Sequence, residues 1–327
     1  MSSFPIRVAS IDVGSNALRF LATEFTNRTN FNVLSFDRYP LRLGHDVFLE
    51  GRMKDKTINS AIRCMRTFYS YLKDLNIEKY RAIATSALRE SRNGDVLIMR
   101  LRERVGIHLE RISESEESRL IYQSIKKRFP FENAKWVLVD VGGGSVEVLL
   151  ATERDILWST SYATGAIKLL NMFTKAKEDP GDLKGLIENY LQTLSIPPLI
   201  KEKKPAGLIA TGGNIEAIAA IIHPSDTGST NRITITQLKD LTEKLSRYSC
   251  QERIREFDLE KNRADVIIPA SLVYQRLAVL TGTEEIIVPH ARLTEGIVLD
   301  LVNSLQNCND RPDAGNLTTN ITSPQQP

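Results

Sequence analysis

Two short stretches of this chain carry residue types that could do chemistry. In VLVDVGGGSVEVLL (Val137–Leu150), Asp140 closes an apolar run, three glycines follow, and Glu147 interrupts the next apolar run. Three consecutive glycines carry a backbone-entropy cost and pack no side chain. Their N–H groups, which no side chain obstructs, form a concave donor array suited to phosphate oxygens. Gly142, Gly143, Gly144 and the following Ser145 are the candidates. The same frame occurs 128 residues earlier, where SIDVGSNALRFL (Ser10–Leu21) aligns with LVDVGGGSVEVL (Leu138–Leu149). That copy offers Asp12, Gly14, Ser15 and Asn16. A third small-residue turn, ATGGN (Ala210–Asn214), runs from an apolar strand into a helical pattern. Thr211, Gly212, Gly213 and Asn214 thus bring N–H groups to a helix N-terminus, where an anion is favoured. One hairpin turn alone reads better as a plain glycine-containing turn, and ATGGN alone reads equally well as a tight strand–helix connection with Asn214 as its N-cap. Two Asp-Val-Gly hairpins together favour phosphate.

Two further residues are candidates. In SESEESRLIY (Ser113–Tyr122), Ser113 and Glu116 fit the capping-box spacing S-x-x-E. If Glu116 is occupied with the Ser113 N–H, Glu117 is left to act, with Leu120 and Ile121 making one flank apolar. Such a setting suits a general base that holds a water. Loading of the helix first turn with acid is the simpler alternative. Arg89, in TSALRE, follows a buried strand. It either meets a phosphate with its planar fork or starts a helix in solvent. Arg19 and Glu147 share one position of the repeat, so one hairpin could hold a phosphate and the other a cation. The basic runs Lys126–Arg128 and Lys201–Lys204 read as solvated surface, and the four histidines show no ligand spacing.

These residues need a scaffold, and the chain has the material for one. Its 327 residues are 42% hydrophobic and 25% charged, which excludes general disorder. A net charge of +3 is too mild for a nucleic-acid binder and compatible with a local patch for a small polyanion. Three scattered cysteines form neither a metal spacing nor a disulfide framework, which implies a reducing cytoplasm. No secretory signal and no membrane-spanning apolar run is present. Strands are expected at 6–13, 18–25 and 31–36, a long helix at 56–75, a strand at 80–85, a helix at 96–105 and a short strand at 106–112. A helix opened by Ser113 follows. The pattern restarts with strands at 136–141, 146–151 and 156–162, then helices, a strand at 207–211 entering a helix at 215–222, a polar loop at 223–231, helices near 236–248, 263–280 and 293–305, and a strand at 285–288. The repeated hairpins imply two related lobes with ligand in a cleft between them.

The three turns resemble the phosphate-binding turns of the actin, sugar-kinase and heat-shock ATPase superfamily. More narrowly, DVGSNALR (Asp12–Arg19), ATSALRES (Ala84–Ser91), SESEESRLIY, VDVGGGSVEV (Val139–Val148) and ATGGN resemble, in order, the motifs of the Ppx/GppA family. That family comprises exopolyphosphatases and guanosine pentaphosphate phosphatases. The resemblance runs from about Val8 to Leu301. It implies an α/β fold of two RNase H-like (actin-like ATPase) lobes: residues 1–124 with about 293–308, residues 125–292, and a flexible tail over 309–327. It also implies a short form without the extra C-terminal domain of longer relatives. Ala17 stands where the family usually has Ser or Thr, Val146 where Thr is common, and RLTEG (Arg292–Gly296) replaces Leu-Arg-Glu-Gly.

The reaction so implied is Mg2+-dependent hydrolysis of a terminal phosphoanhydride, with another divalent cation as a substitute. The family's catalytic glutamate falls on Glu117. Asp140 and Glu147 supply hard oxygen ligands for the metal, with Asp12 a further candidate. Asn16, Arg89 and the small-residue turns position the phosphates. The substrate is inorganic polyphosphate or pppGpp, with no nucleic-acid or membrane partner and a homodimer as the family-level expectation. A kinase-like phosphotransferase and a non-catalytic phosphate sensor are the competing readings.

Overall fold

The structure, a computed structural model, describes residues 4–178, 189–203, 205–225 and 230–309. The chain divides into two compact units, Met1–Ser124 with Leu293–Pro327, and Ile125–Arg292. The tail expected to fray lies outside the described residues, apart from Asn309.

The first unit opens with β1 (Ile6–Val13), β2 (Leu18–Phe25) and β3 (Phe31–Tyr39). β1 and β2 pair antiparallel, with Asp12 opposite Arg19 and Val13 opposite Leu18. Next come α1 (Leu43–Glu50), α2 (Asp55–Asp74), β4 (Lys79–Ala84), α3 (Ser86–Glu90), α4 (Gly94–Val105), β5 (Leu109–Arg111) and α5 (Glu114–Arg128). The sheet runs β3-β2-β1-β4-β5, with β4 parallel to β1 and β5 parallel to β4. Both faces of β1 are covered, which is why it reads as an almost unbroken apolar run. On one face Ile11, Val13 and Phe20 pack with Ile58, Met65 and Phe68 of α2 and with Leu97 and Leu101 of α4.

In the second unit the pattern repeats as β6 (Trp136–Val141), β7 (Val146–Ala151) and β8 (Ile156–Tyr162). Then follow α6 (Ala166–Glu178), α7 (Pro198–Glu202), β9 (Leu208–Thr211), α8 (Gly213–Ile222), β10 (Asn231–Thr234), α9 (Ile235–Ser246), α10 (Cys250–Phe257), α11 (Lys261–Ala264), α12 (Ile267–Thr281) and β11 (Glu285–Val288). The sheet order is β10-β11-β9-β6-β7-β8. β9 is parallel to β6 and β11 parallel to β9, while β10 adds an antiparallel edge. Apart from β10, each sheet has three antiparallel strands continued by two parallel ones, the RNase H-like arrangement. Finally α13 (Leu293–Asn309) belongs to the first unit. It covers the second face of that sheet, with Val298, Leu301 and Val302 against Ile6, Val8, Leu21 and Phe25.

Where the elements differ from expectation, local chemistry explains it. The helix expected over 263–280 is split into α11 and α12, because Pro269 has no N–H to donate inside a helix and is accommodated in a new first turn. β10 falls at the end of the expected loop. Its last residue, Thr234, is also the N-cap of α9, closing a capping box with Gln237. The short helices α1 and α3 are additions the periodicity did not reveal.

The two glycine-containing hairpin turns have one geometry. Gly14 N–H donates to Ala17 O at 3.1 Å, and Gly142 N–H to Ser145 O at 3.0 Å. In the second unit the start of α6 is docked on the turn. The N–H groups of Gly165, Ala166 and Ile167 donate to the carbonyls of Gly144, Gly142 and Gly143 at 3.1, 2.9 and 2.9 Å. A Cβ on Gly165 would overlap the Gly143 and Gly144 backbone. In the first unit Gly44, in α1, donates to Ser15 O at 2.9 Å, and a Cβ there would crowd Ser15 and Phe48. Gly165→Ala is therefore predicted to destabilise the fold by about 1–3 kcal/mol, the usual cost of overpacking. Urea unfolding measures this, and an unchanged midpoint would contradict the docking of α6 on the turn.

Candidate active site

In the first unit the carboxyl ends of β1, β4 and β5 lie side by side, since Val13 pairs with Ala84 and Ala84 with Arg111. Loops at this end of a parallel sheet are where α/β folds bind ligands. Asp12 is buried one residue before the end of β1. Arg19 Nη1 lies 2.6 Å from its Oδ2. Its Oδ1 is buried and has no hydrogen-bond partner among the described residues. Burial pushes the Asp12 carboxyl above the ordinary range, and the Arg19 guanidinium opposes this. The Ser15 and Ser86 hydroxyls are 2.8 Å apart, tying the turn to the start of α3. Asn16 Oδ1 accepts from Arg42 Nε at 3.0 Å.

Arg89, on α3, donates through Nη1 to Glu117 Oε2 at 2.7 Å and to Ile112 O at 3.3 Å. Its Nη2 is buried with no hydrogen-bond partner among the described residues. The residues expected to serve as phosphate ligand and as base are thus partners of each other. The expected capping box is half formed. Glu116 N–H does take Ser113 Oγ, at 3.2 Å. Its carboxylate, however, turns away to Arg119, at 2.7 and 2.8 Å, and to Arg81, at 2.9 Å. Charge-assisted bonds to guanidinium outcompete one to a neutral N–H.

In the second unit Asp140 lies directly opposite Glu147 across β6 and β7, so both side chains stand on one face of the sheet. Asp140 Oδ1 accepts from Thr211 Oγ1 at 3.1 Å, and Glu147 Oε1 from Ser161 Oγ at 3.0 Å. Glu147 is fully buried. With the turn carbonyls taken by α6, the Gly143 and Gly144 N–H groups enter no hydrogen bond among the described residues.

The ATGGN turn corrects one assignment. The N-cap of α8 is Gly212, not Asn214. Gly212 has φ +96°, and a Cβ there would stand 2.6 Å from Asp140 Oδ1, so glycine is the residue that fits. Asn214 lies inside the helix, buried, with Oδ1 accepting from Arg263 Nη1 at 3.4 Å. The Arg263 guanidinium fills the space a Gly213 side chain would take. Arg263 and Arg42 are the residues that sequence reasoning missed. Each belongs to a short segment with no motif of its own, and only the folded contacts reveal them. From behind, Tyr274 of α12 donates to Thr211 O at 3.2 Å.

The donor set limits the metal. Among the described residues no group of three or more His, Cys, Asp or Glu side chains could hold an ion. A closed zinc-type site is therefore a poor fit. Two carboxylates on one face suit an ion that keeps water and shares phosphate oxygens, which is the habit of Mg2+.

Comparison with known proteins identifies the family. A model of the Ppx/GppA phosphatase family matches residues 23–305. Exopolyphosphatase 1 of Mycobacterium leprae is 23% identical over 308 residues, covering 91% of this chain and 90% of that protein. Guanosine-5'-triphosphate,3'-diphosphate pyrophosphatase of Aliivibrio fischeri is also 23% identical, covering 94% of this chain but 61% of its own length. The crystal structure of an exopolyphosphatase from Cytophaga hutchinsonii superimposes with a TM-score of 0.83 at 25% identity, covering 91% of this chain and 98% of that one.

Glu117→Gln is predicted to lower kcat for phosphate release by about 10²–10⁴-fold, the range for losing a general base, with the urea midpoint close to wild type. Retained kcat would contradict the assignment, and so would an equal loss in Glu116→Gln.

Proposed function

The chain belongs to the Ppx/GppA phosphatase family, and from that premise we propose that it is an exopolyphosphatase, releasing orthophosphate from the end of inorganic polyphosphate. The observation that carries this reading is the Arg89–Glu117 pair. A buried carboxylate is oriented by a guanidinium whose second nitrogen, Nη2, has no hydrogen-bond partner among the described residues. One side chain orients a water and the other takes a phosphate oxygen.

In this mechanism Glu117 accepts a proton from water as its oxygen bonds to the terminal phosphorus. The P–O bond to the rest of the chain breaks, and the shortened chain leaves as an anion. Arg89 donates through Nη2 to an oxygen of the phosphate. Each unit offers main-chain N–H groups to phosphate oxygens, Ser15 and Asn16 in the first and Gly143, Gly144, Ser145 and the Thr211–Asn214 turn in the second, whereas the N–H groups expected from Gly14 and Gly142 are spent closing their turns on Ala17 and Ser145. Asp140 and Glu147 would hold Mg2+ or another divalent cation. When bound, such an ion neutralises charge on the phosphate oxygens. Asp12 is a further oxygen donor, through its unpartnered Oδ1.

Hydrolysis of pppGpp is the second reading. It breaks the same type of bond, and relatives bearing both names match at the same identity. Polyphosphate is favoured because the candidate binding elements are mostly backbone turns, which recognise phosphate whatever is attached beyond it. A cytoplasmic location fits the scattered cysteines. Among the described residues no helix is long and apolar enough to cross a membrane.

Phosphate release from polyphosphates of several lengths, pppGpp and ATP, with and without Mg2+, tests the proposal. Mg2+-dependent release is expected, fastest from polyphosphate. Faster cleavage of pppGpp would select the second reading, and no release from any substrate would contradict both. Glu147→Gln is predicted to raise the Mg2+ concentration needed for half-maximal rate by about 10-fold or more; an unchanged Mg2+ dependence would remove Glu147 from the metal site.

A further inference from the structure

Behind Glu117 lies a set of ion pairs that the proposed reaction does not use. Arg81 Nη1 is 2.9 Å from Glu116 Oε1 and 2.9 Å from Asp300 Oδ2. Arg119 holds the same two acids, with Nε 2.7 Å from Glu116 Oε2 and Nη1 2.7 Å from Asp300 Oδ1. Two arginines and two carboxylates therefore close a ring. It joins β4 through Arg81, α5 through Glu116 and Arg119, and α13 through Asp300. Arg81 Nε also reaches Glu110 of β5, at 2.6 Å. Three members of the ring are partly shielded, Arg81, Glu116 and Asp300 being 19%, 24% and 20% exposed, while Arg119 is 39% exposed.

One helical turn before Asp300, α13 meets α5 again. A Cβ on Gly296 would overlap the Leu120 carbonyl, so the two backbones are in direct contact there. Ile297 packs beside it with Leu120, Ile112 and Ile83. The first half of α5 is thus gripped by α13 at two levels. Glu117 adjoins the ring residue Glu116 and, on a helix, points about 100° away from it, toward Arg89.

We propose that Arg81, Glu116, Arg119 and Asp300 form a positioning ring that sets the rotation and height of the first turn of α5, and through it the placement of Glu117. The proposal rests on the reading of Glu117 as the base. None of the four is placed on the reacting atoms, so they are positioning residues. Partly buried ion pairs add little net stability over apolar packing. Planar guanidinium forks, however, fix angle and distance in a way apolar contacts do not. The hydrogen bonds from Arg119, and next those from Arg81, hold the Glu116 carboxyl below the ordinary range against its burial. Glu116 therefore stays charged at neutral pH.

A cavity of about 480 Å³ opens on Arg81, lined also by Arg102, His108, Glu110 and Asp300. It provides a route by which a small cation can reach the place of a deleted Arg81 side chain.

The test is steady-state hydrolysis of polyphosphate by Arg81→Ala and Asp300→Asn, with and without millimolar methylguanidinium. Both variants are expected to lose about 10-fold to 10²-fold in kcat, the scale of an ångström-level misplacement, with KM and urea midpoint little changed. Methylguanidinium is expected to restore most of kcat in Arg81→Ala and none in Asp300→Asn. Arg247→Gln, which breaks an exposed pair with Glu243, is the control and should match wild type. A wild-type chain that releases no phosphate would overturn the reading of Glu117, and the ring's role with it. With an active wild type, retained kcat in both variants, a loss matched by loss of folded protein, or failure of methylguanidinium to raise kcat in Arg81→Ala would overturn the ring alone.

Discussion

The arrangement depends on how the hairpin turn at Gly142–Gly144 satisfies its carbonyl groups. A tight turn at a strand end exposes backbone acceptors on one side and donors on the other, and both need partners. Here the acceptors are taken by the N–H groups of Gly165, Ala166 and Ile167, donors that a helix start otherwise leaves unused. One contact thus settles two deficits. It also anchors the turn to α6 through three main-chain hydrogen bonds, none of which uses the Gly143 or Gly144 N–H groups. The glycines follow from this. A side chain at Gly165 would push the helix off the turn, and one at Gly212 would displace the Asp140 carboxylate.

The two units place different side chains on the same frame. At the repeated cross-strand position the first unit pairs Asp12 with Arg19, and the acid is largely neutralised within the strand pair. The second unit sets Asp140 opposite Glu147. Like charges directly opposite each other destabilise a sheet, and burial of Glu147 adds to the cost. The hydrogen bonds from Thr211 to Asp140 and from Ser161 to Glu147 offset part of this cost.

Much of this was legible in the sequence because it is local. The Asp-Val-Gly repeat, the strands flanking it and the first-turn acids of α5 follow from patterns within a dozen residues. What stayed hidden depends on contacts between distant segments. Arg89 meets Glu117 28 residues on, and Arg81 meets Asp300 219 residues on. No periodicity encodes that the Glu116 carboxylate prefers two arginines to the Ser113 N–H. Nor does it reveal that Arg263 fills the space above Gly213. Asn214 has the residue type of a cap, but the cap is Gly212, two residues earlier, whose positive φ could be known only from the fold.

The central claim is that the Gly143 and Gly144 N–H groups, which the docking of α6 leaves unused, receive phosphate. Amide ¹H–¹⁵N spectra of the Glu117→Gln variant, titrated with magnesium tripolyphosphate, test it directly. The account predicts large saturable shifts of the Gly143 and Gly144 amides. Binding that leaves those two amides unmoved while others shift would contradict it.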